Sequence, residues 1–265
     1  MRVNADLWAA GEHVDVYANR LLAPVEVLIL VRYREALAGR VIEVGCGAGR
    51  VLGYLTQLGR EVYGVDLSPA MVDYCRRVYP EADVRTGDVG ALAEVIEGPF
   101  DVIFAANNLL DVFDDSERRR TLEGFLALLA PEGRLIFSSH NLADLERAGA
   151  AAGSVGRWAR GGAALSKLLE SPPADLARGA ARIPRRVRNR RRLAPLQSRA
   201  AGYAIVNDDT FDYGLLHYYI RRDDQERQLA DVGYRLVECL DPDGHAVQAG
   251  NAGRGPWLHY IAAPA

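Results

Sequence analysis

The 265-residue chain has little of several things that would define other kinds of protein. Its three cysteines, Cys46, Cys75 and Cys239, have neither metal-ligand spacing nor an even number to pair. That usage suits a reducing compartment rather than a disulfide framework. No apolar run approaches the ~20 residues of a membrane span, and Met1 to Arg20 lacks the apolar core of a signal peptide. No His/Asp/Glu group recurs at ligand spacing, so no metal site is expected. There is no excess of positive charge: the formal net charge is −3, which argues against general coating of nucleic acid. The expectation left is a soluble, cytoplasmic protein with no membrane partner. Its 49% hydrophobic residues are ample for one large core.

What is present begins at residue 41. Val41, Ile42 and Val44 form an apolar run of the kind a buried parallel strand requires. Gly45, Cys46, Gly47, Ala48 and Gly49 follow at once. Glycines there allow positive φ and close approach of a ligand to the backbone. Val51, Leu52, Tyr54, Leu55 and Leu58 then repeat at helical spacing, with Gly59 as the stop. A second strand, Glu61 to Val65, ends in Asp66, an acid placed to receive two ribose hydroxyls. The dinucleotide fingerprint needs a third glycine three residues after the second, and that position holds Arg50. A nicotinamide-dependent oxidoreductase is therefore disfavoured.

The pattern Glu-x-Gly-x-Gly-x-Gly from Glu43 to Gly49, with Asp66 ending the next strand, resembles class I S-adenosylmethionine-dependent methyltransferases. The resemblance implies an α/β fold: a Rossmann-like, doubly wound, seven-stranded sheet whose last strand is antiparallel. It implies S-adenosyl-L-methionine as cofactor, held at Glu43, Gly45, Cys46, Gly47, Gly49 and Asp66. Leu67 and Met71 would wall the adenine. Asp88 would accept from its amino group, and the backbone of Val89 would meet a ring nitrogen. Tyr17, on an N-terminal helix, is the candidate beside the methionine part. Asn107, at the end of the fourth strand, would face the methyl-transfer region. Asn107-Asn108 is followed by Leu109 and Leu110 rather than by prolines and an aromatic, which disfavours methylation of a base amino group.

Along the rest of the chain, two helices are expected before the first strand, roughly 5–22 and 25–37, the second with a stripe of Val27, Leu28, Val31 and Leu37. Ser68 with Pro69 opens a helix that Pro80 ends. Ser116 is expected to cap the next, and Arg134 to Ser138 to form the fifth strand. The closing helix and strands appear only near the C-terminus. The expected division is an N-terminal helical cover (1–40), a core (41–141 and 222–265) and a cap insertion after the fifth strand (142–221). Within the insertion, 203–206 and 211–220 are expected to pair as a hairpin across Asn207 to Thr210.

Charge is concentrated in that insertion. Nine of the 32 basic residues, all arginine, lie between Asp175 and Asp208 with no acid among them. A solvated helix face, capture of an anionic acceptor or carrier surface, and RNA docking are the three readings of this run. The absence of aromatics from Ala159 through Gly202 counts against RNA. His140 is the first candidate for a general base, because its place at the carboxyl end of a strand and the chemistry of imidazole agree. His217, Tyr218 and Tyr219 are next, with the two tyrosines expected on opposite faces of a strand. The expected function is methyl transfer to an O or N acceptor of a small molecule, such as a specialised metabolite. The alternatives are an RNA or protein methyltransferase docking through the arginines, or a non-catalytic binding protein. Oligomeric state is left open, with a homodimer among the options.

Overall fold

The computed structural model describes residues 1, 4, 21–154 and 173–265. Tyr17, nearly all of the helix expected over 5–22, and much of the Ala/Gly-rich part of the insertion lie outside them. The remaining strands and helices build one mixed sheet with helices on both faces.

The strands are β1 (Arg40–Val44), β2 (Glu61–Asp66), β3 (Asp83–Thr86), β4 (Phe100–Ala105), β5 (Leu129–Asn141), β6 (Ser198–Arg199), β7 (Tyr203–Val206), β8 (His217–Ile220), β9 (Tyr234–Leu240) and β10 (Trp257–Pro264). Strands β1 to β5 are mutually parallel in the order β3-β2-β1-β4-β5, and β10 lies antiparallel between β5 and β9. This is the expected seven-stranded arrangement with its antiparallel last strand. The near-continuous apolar runs reflect burial on both faces. Successive residues of β1 divide between two cores: Ile42 and Val44 pack with Phe125 and Leu122, whereas Val41 packs with Leu52, Leu55 and Ile29.

The helices are α1 (Pro24–Arg32), α2 (Arg34–Leu37), α3 (Leu52–Leu58), α4 (Pro69–Val78), α5 (Asp115–Leu128), α6 (Leu142–Ser154), α7 (Pro173–Leu193) and α8 (Arg222–Asp231). Several differ from expectation. The helix expected over 25–37 is broken at Tyr33 into α1 and α2. Its buried face is Val25, Glu26, Ile29 and Leu30, while Val27 and Val31 face solvent. Helix α5 is capped by Asp114 rather than Ser116. Asp114 accepts from the Glu117 N–H at 2.9 Å and Glu117 accepts from the Asp114 N–H at 3.0 Å, a reciprocal box that Ser116 cannot make. Strand β5 begins at Leu129 and runs through His140 and Asn141, longer at both ends than expected.

The largest difference is in the segment 142–221. Its hairpin is β7 with β8 only, because Phe211, Asp212 and Tyr213 take positive φ in succession and cannot continue a strand. Strand β8 then pairs parallel with β5 at His140 and Asn141, so β6, β7 and β8 extend the main sheet to ten strands. His140 is paired with Trp257 of β10 and Tyr219 of β8. Since β10 occupies one edge of β5, β8 takes the other, beyond the point where β4 ends.

Candidate functional site

The turn after β1 is built by three glycines at positive φ: Gly45 (65°), Gly47 (53°) and Gly49 (80°). A Cβ on Gly45 would collide with Leu109, and one on Gly49 with Tyr79. At Gly47 nothing lies within 4 Å of that position. The loop therefore packs tightly at its two ends and is open at its middle. Asp66, at the end of β2, accepts from the Gly47 N–H at 2.8 Å and from the Ser68 N–H at 2.9 Å. Burial raises its carboxyl above the usual range, and these backbone N–H groups offset part of that effect. Under the loop, Glu43 is 2% exposed and its Oε2 has no hydrogen-bond partner; burial pushes its carboxyl well up.

The other cofactor candidates stand around this turn. Met71 and Val89 are buried, Leu67 is half-buried, and Asp88 is exposed with its Oδ1 accepting from the Gly90 N–H at 2.8 Å. The Cys46 side chain is buried beneath the loop, so its backbone is the part near the open middle. Asn107 and Asn108 both take positive φ (57° and 55°) and end β4 abruptly, which asparagine tolerates better than most residues. Asn107 is exposed; Asn108 is buried, its N–H donating to Ser138 Oγ at 2.8 Å.

A cavity of about 250 Å³ opens beside these residues, bordered by Ala23, Glu26, Arg50, Asn108, Trp257 and His259. Arg50 grips Glu26 through two hydrogen bonds, the longer 2.7 Å. Burial alone would raise the Glu26 carboxyl, but Arg50 outweighs it and holds the group low. The residue that breaks the dinucleotide pattern thus places a guanidinium–carboxylate pair at the cavity wall.

A second group of polar side chains centres on His140. Asp111, fully buried, accepts from the His140 ring Nδ1 at 2.7 Å and from its backbone N–H at 2.6 Å. Arg118 Nη1 and Ser139 Oγ donate to the other oxygen, each at 2.6 Å. Burial would raise the Asp111 carboxyl, but the Arg118 charge and the His140 and Ser139 hydrogen bonds win and hold it below the usual range. Arg118, also fully buried, is completed by Gln225, Gln228 and Ser139. With Nδ1 given to Asp111, His140 presents Nε2 to the site, 3.4 Å from the Asn108 side-chain nitrogen.

The insertion brings a second such pair. His217 Nδ1 lies 2.7 Å from Asp208 Oδ2, and the His140 and His217 ring centroids are 4.9 Å apart. Tyr219 stacks obliquely on His140 at 4.7 Å and donates its hydroxyl to the same Asp208 oxygen at 2.9 Å. Tyr218 points to the opposite face. It donates to Asp115 Oδ1 at 2.5 Å, stacks on Tyr203 and lies under Arg118. Of the two tyrosines, Tyr219 therefore faces His140 and Tyr218 does not. Strand alternation predicted that the two would diverge, but not which would face inward.

Of the arginine run, Arg182 and Arg185 meet Asp212, and Arg186 and Arg190 sit over the Tyr213 ring. These four hold the 211–213 turn. Asp111, Arg118, Asp208, Trp257 and His259 were not singled out from the sequence. The one available signal was an acid, Asp111, soon after the end of β4.

Residues 41–133 match a family model described as a methyltransferase domain. A ubiquinone biosynthesis O-methyltransferase of Xanthomonas euvesicatoria pv. vesicatoria is 31% identical over 124 residues, covering 45% of this chain and 51% of that protein. A protein of the same name from Nitrosococcus oceani is 34% identical over 116 residues, covering 42% and 48%. The chain thus spans about half the length of the curated relatives it matches. Among solved structures, the CcbJ methyltransferase of Streptomyces caelestis aligns with a TM-score of 0.61 at 18% identity, over 97% of this chain and 98% of that one. A glycopeptide N-methyltransferase, MtfA, in complex with S-adenosyl-L-homocysteine aligns with a TM-score of 0.55 at 16% identity, over 93% and 89%. The match over residues 41–133 is to a methyltransferase domain, and the likeness to the solved structures is one of fold. Among the described residues, no helix is long and apolar enough to cross a membrane.

Proposed function

We infer that this protein transfers the methyl group of S-adenosyl-L-methionine to an oxygen or nitrogen of a small molecule. The observation that carries the reading is a histidine with its Nδ1 proton fixed by Asp111 and its Nε2 3.4 Å from Asn108, which borders a cavity together with Arg50, the residue after the glycine turn. The turn suits the cofactor on three counts. Its middle is open at Gly47, Glu43 Oε2 lies beneath it unpartnered, and Asp66 is pinned by the loop it closes. Glu43, Gly45, Cys46, Gly47, Gly49, Asp66, Leu67, Met71, Asp88, Val89 and Asn107 are the residues assigned to cofactor binding. Arg50 and Glu26 offer a charge of each sign to its amino-acid end.

The methyl carbon of the bound sulfonium is already electrophilic. The chain's task is to align the acceptor and remove its proton. Alignment alone can supply ~7–11 kcal/mol in well-ordered cases. His140 Nε2 takes the proton, and the ionised Asp111 stabilises the imidazolium that results. His217 and Tyr219, brought in by β8, form the acceptor wall, so the segment 142–221 acts as the acceptor-side elaboration. The names of the relatives, an O-methyltransferase and an N-methyltransferase among them, agree with this reading at the level of reaction class.

Calorimetric titration with S-adenosylhomocysteine, with NADH as control, tests it. Binding of the former alone is the expected result. Binding of neither, or of NADH alone, would overturn the cofactor assignment.

A further inference from the structure

We propose that His140, His217 and Asp208 form a binding site for a divalent transition-metal cation of the zinc class. The three come from separate parts of the chain: the end of β5, the start of β8, and the loop that follows β7. That separation is why no ligand spacing is visible in the sequence. One imidazole nitrogen from each histidine and one oxygen of Asp208 all lie within 4.8 Å of one another. A common centre can therefore be drawn within about 2.8 Å of all three, against ~2.0–2.2 Å for zinc bonds to nitrogen and oxygen. Inward movement of each side chain by less than an ångström closes the site.

Two further features point to a ligand. The His140 Nδ1 is held at 2.7 Å by Asp111, a carboxylate outside the cluster, whereas His217 Nδ1 and Asp208 Oδ2, 2.7 Å apart, both belong to it. A carboxylate on the distal nitrogen is the arrangement that orients metal-bound histidines and strengthens them as donors. Beside them, Asn108 is 8% exposed, its Oδ1 has no partner, and its Nδ2 stands 3.4 Å from His140 Nε2. A buried amide oxygen without a partner at this point would be satisfied by a cation or by a water bound to one.

The donor set selects the metal. Two imidazoles and one carboxylate suit Zn²⁺, Co²⁺ or Ni²⁺, whereas Mg²⁺ and Ca²⁺ favour sites made of oxygen alone. Three protein ligands leave a coordination position open. A lone pair given to a metal is not available to a proton. Metal-loaded protein and base-competent protein are therefore mutually exclusive forms at His140. The metal site stands independently of the cofactor assignment.

The test uses the full chain freed of metal by a chelator. It is titrated with Co²⁺, read by visible absorption, and with Zn²⁺, read by calorimetry. One equivalent should bind with a ligand-field band, and His217→Gln should weaken binding about tenfold or more. Because His217 is buried, Asp208→Asn is measured alongside, with circular dichroism to confirm folding of each variant. A second group among the described residues, Asp241, Asp243 and His245, is a competing site at which two of the three residues are exposed. His245→Gln should leave the Co²⁺ band intact. Loss of the band in His245→Gln with retention in folded His217→Gln and Asp208→Asn would overturn the proposal, as would absence of any stoichiometric binding by the wild type.

Discussion

Asp111 and His140 are joined twice through one oxygen. Asp111 Oδ2 accepts both the ring Nδ1–H at 2.7 Å and the backbone N–H at 2.6 Å of the same residue. The carboxylate thus fixes the main chain and the imidazole of His140 together. A second hydrogen bond to the same residue removes the rotational freedom that a single ring contact would leave.

Replacing Asp111 by asparagine keeps the shape but removes the charge opposite a fully buried Arg118. Breaking a buried ion pair from one side typically costs about 3–5 kcal/mol. Urea denaturation of Asp111→Asn should show a loss of that order. A loss below about 1 kcal/mol would mean that Gln225, Gln228 and Ser139 suffice to hold the guanidinium.

His140→Gln should separate chemistry from binding. If Nε2 takes the acceptor's proton, turnover should fall by about 10²–10⁴, while affinity for S-adenosylhomocysteine stays within about threefold of wild type. Turnover is measured with any acceptor that the wild type methylates, across pH. A wild-type profile in the variant would remove His140 from the mechanism.

Gly47→Val addresses the glycine turn. The new side chain enters open space, so the main cost to the fold is the left-handed backbone at φ 53°, about 1–2 kcal/mol. If the cofactor lies over this glycine, affinity should be lost well beyond that stability change. Calorimetry and thermal denaturation on one preparation distinguish the two. Asp66→Ala should likewise weaken binding without unfolding the chain.

A pH dependence should arise at His259. Burial lowers its pKa from the ordinary 6.5 to about 4, and its Nδ1 has no partner. Between those values the unfolded chain takes up a proton that the folded chain refuses. The stability that His259 contributes is therefore present above pH 6.5 and is lost as pH falls through 4, by about 3 kcal/mol in total. Urea midpoints measured across that range should fall with pH, and His259→Phe should flatten the decline.

The first half of the site was legible because it is local in sequence. Glu43, the three glycines and Asp66 belong to one strand–turn–helix–strand unit, whose geometry follows from spacing and residue type. The half around His140 was not. Asp111 reaches His140 across 29 residues, and Asp208 meets His217 only because the 211–213 turn folds the loop back. Periodicity reports which face of an element is buried, but not which distant element covers it. Ser116 shows the local limit. Its hydroxyl is a good cap, yet Asp114 wins because Glu117 can reciprocate.

Strand β8 succeeds β4 along one edge of β5, and this has a consequence for how specificity could diversify. His217 and Tyr219 are placed by the same sheet that carries the glycine turn, so their distance from that turn is set by strand spacing, as on a ruler. The loop between β7 and β8 hangs from that ruler. Under the proposed function, exchange of that loop's length and composition would alter the acceptor pocket while the reach from methyl donor to acceptor stays constant.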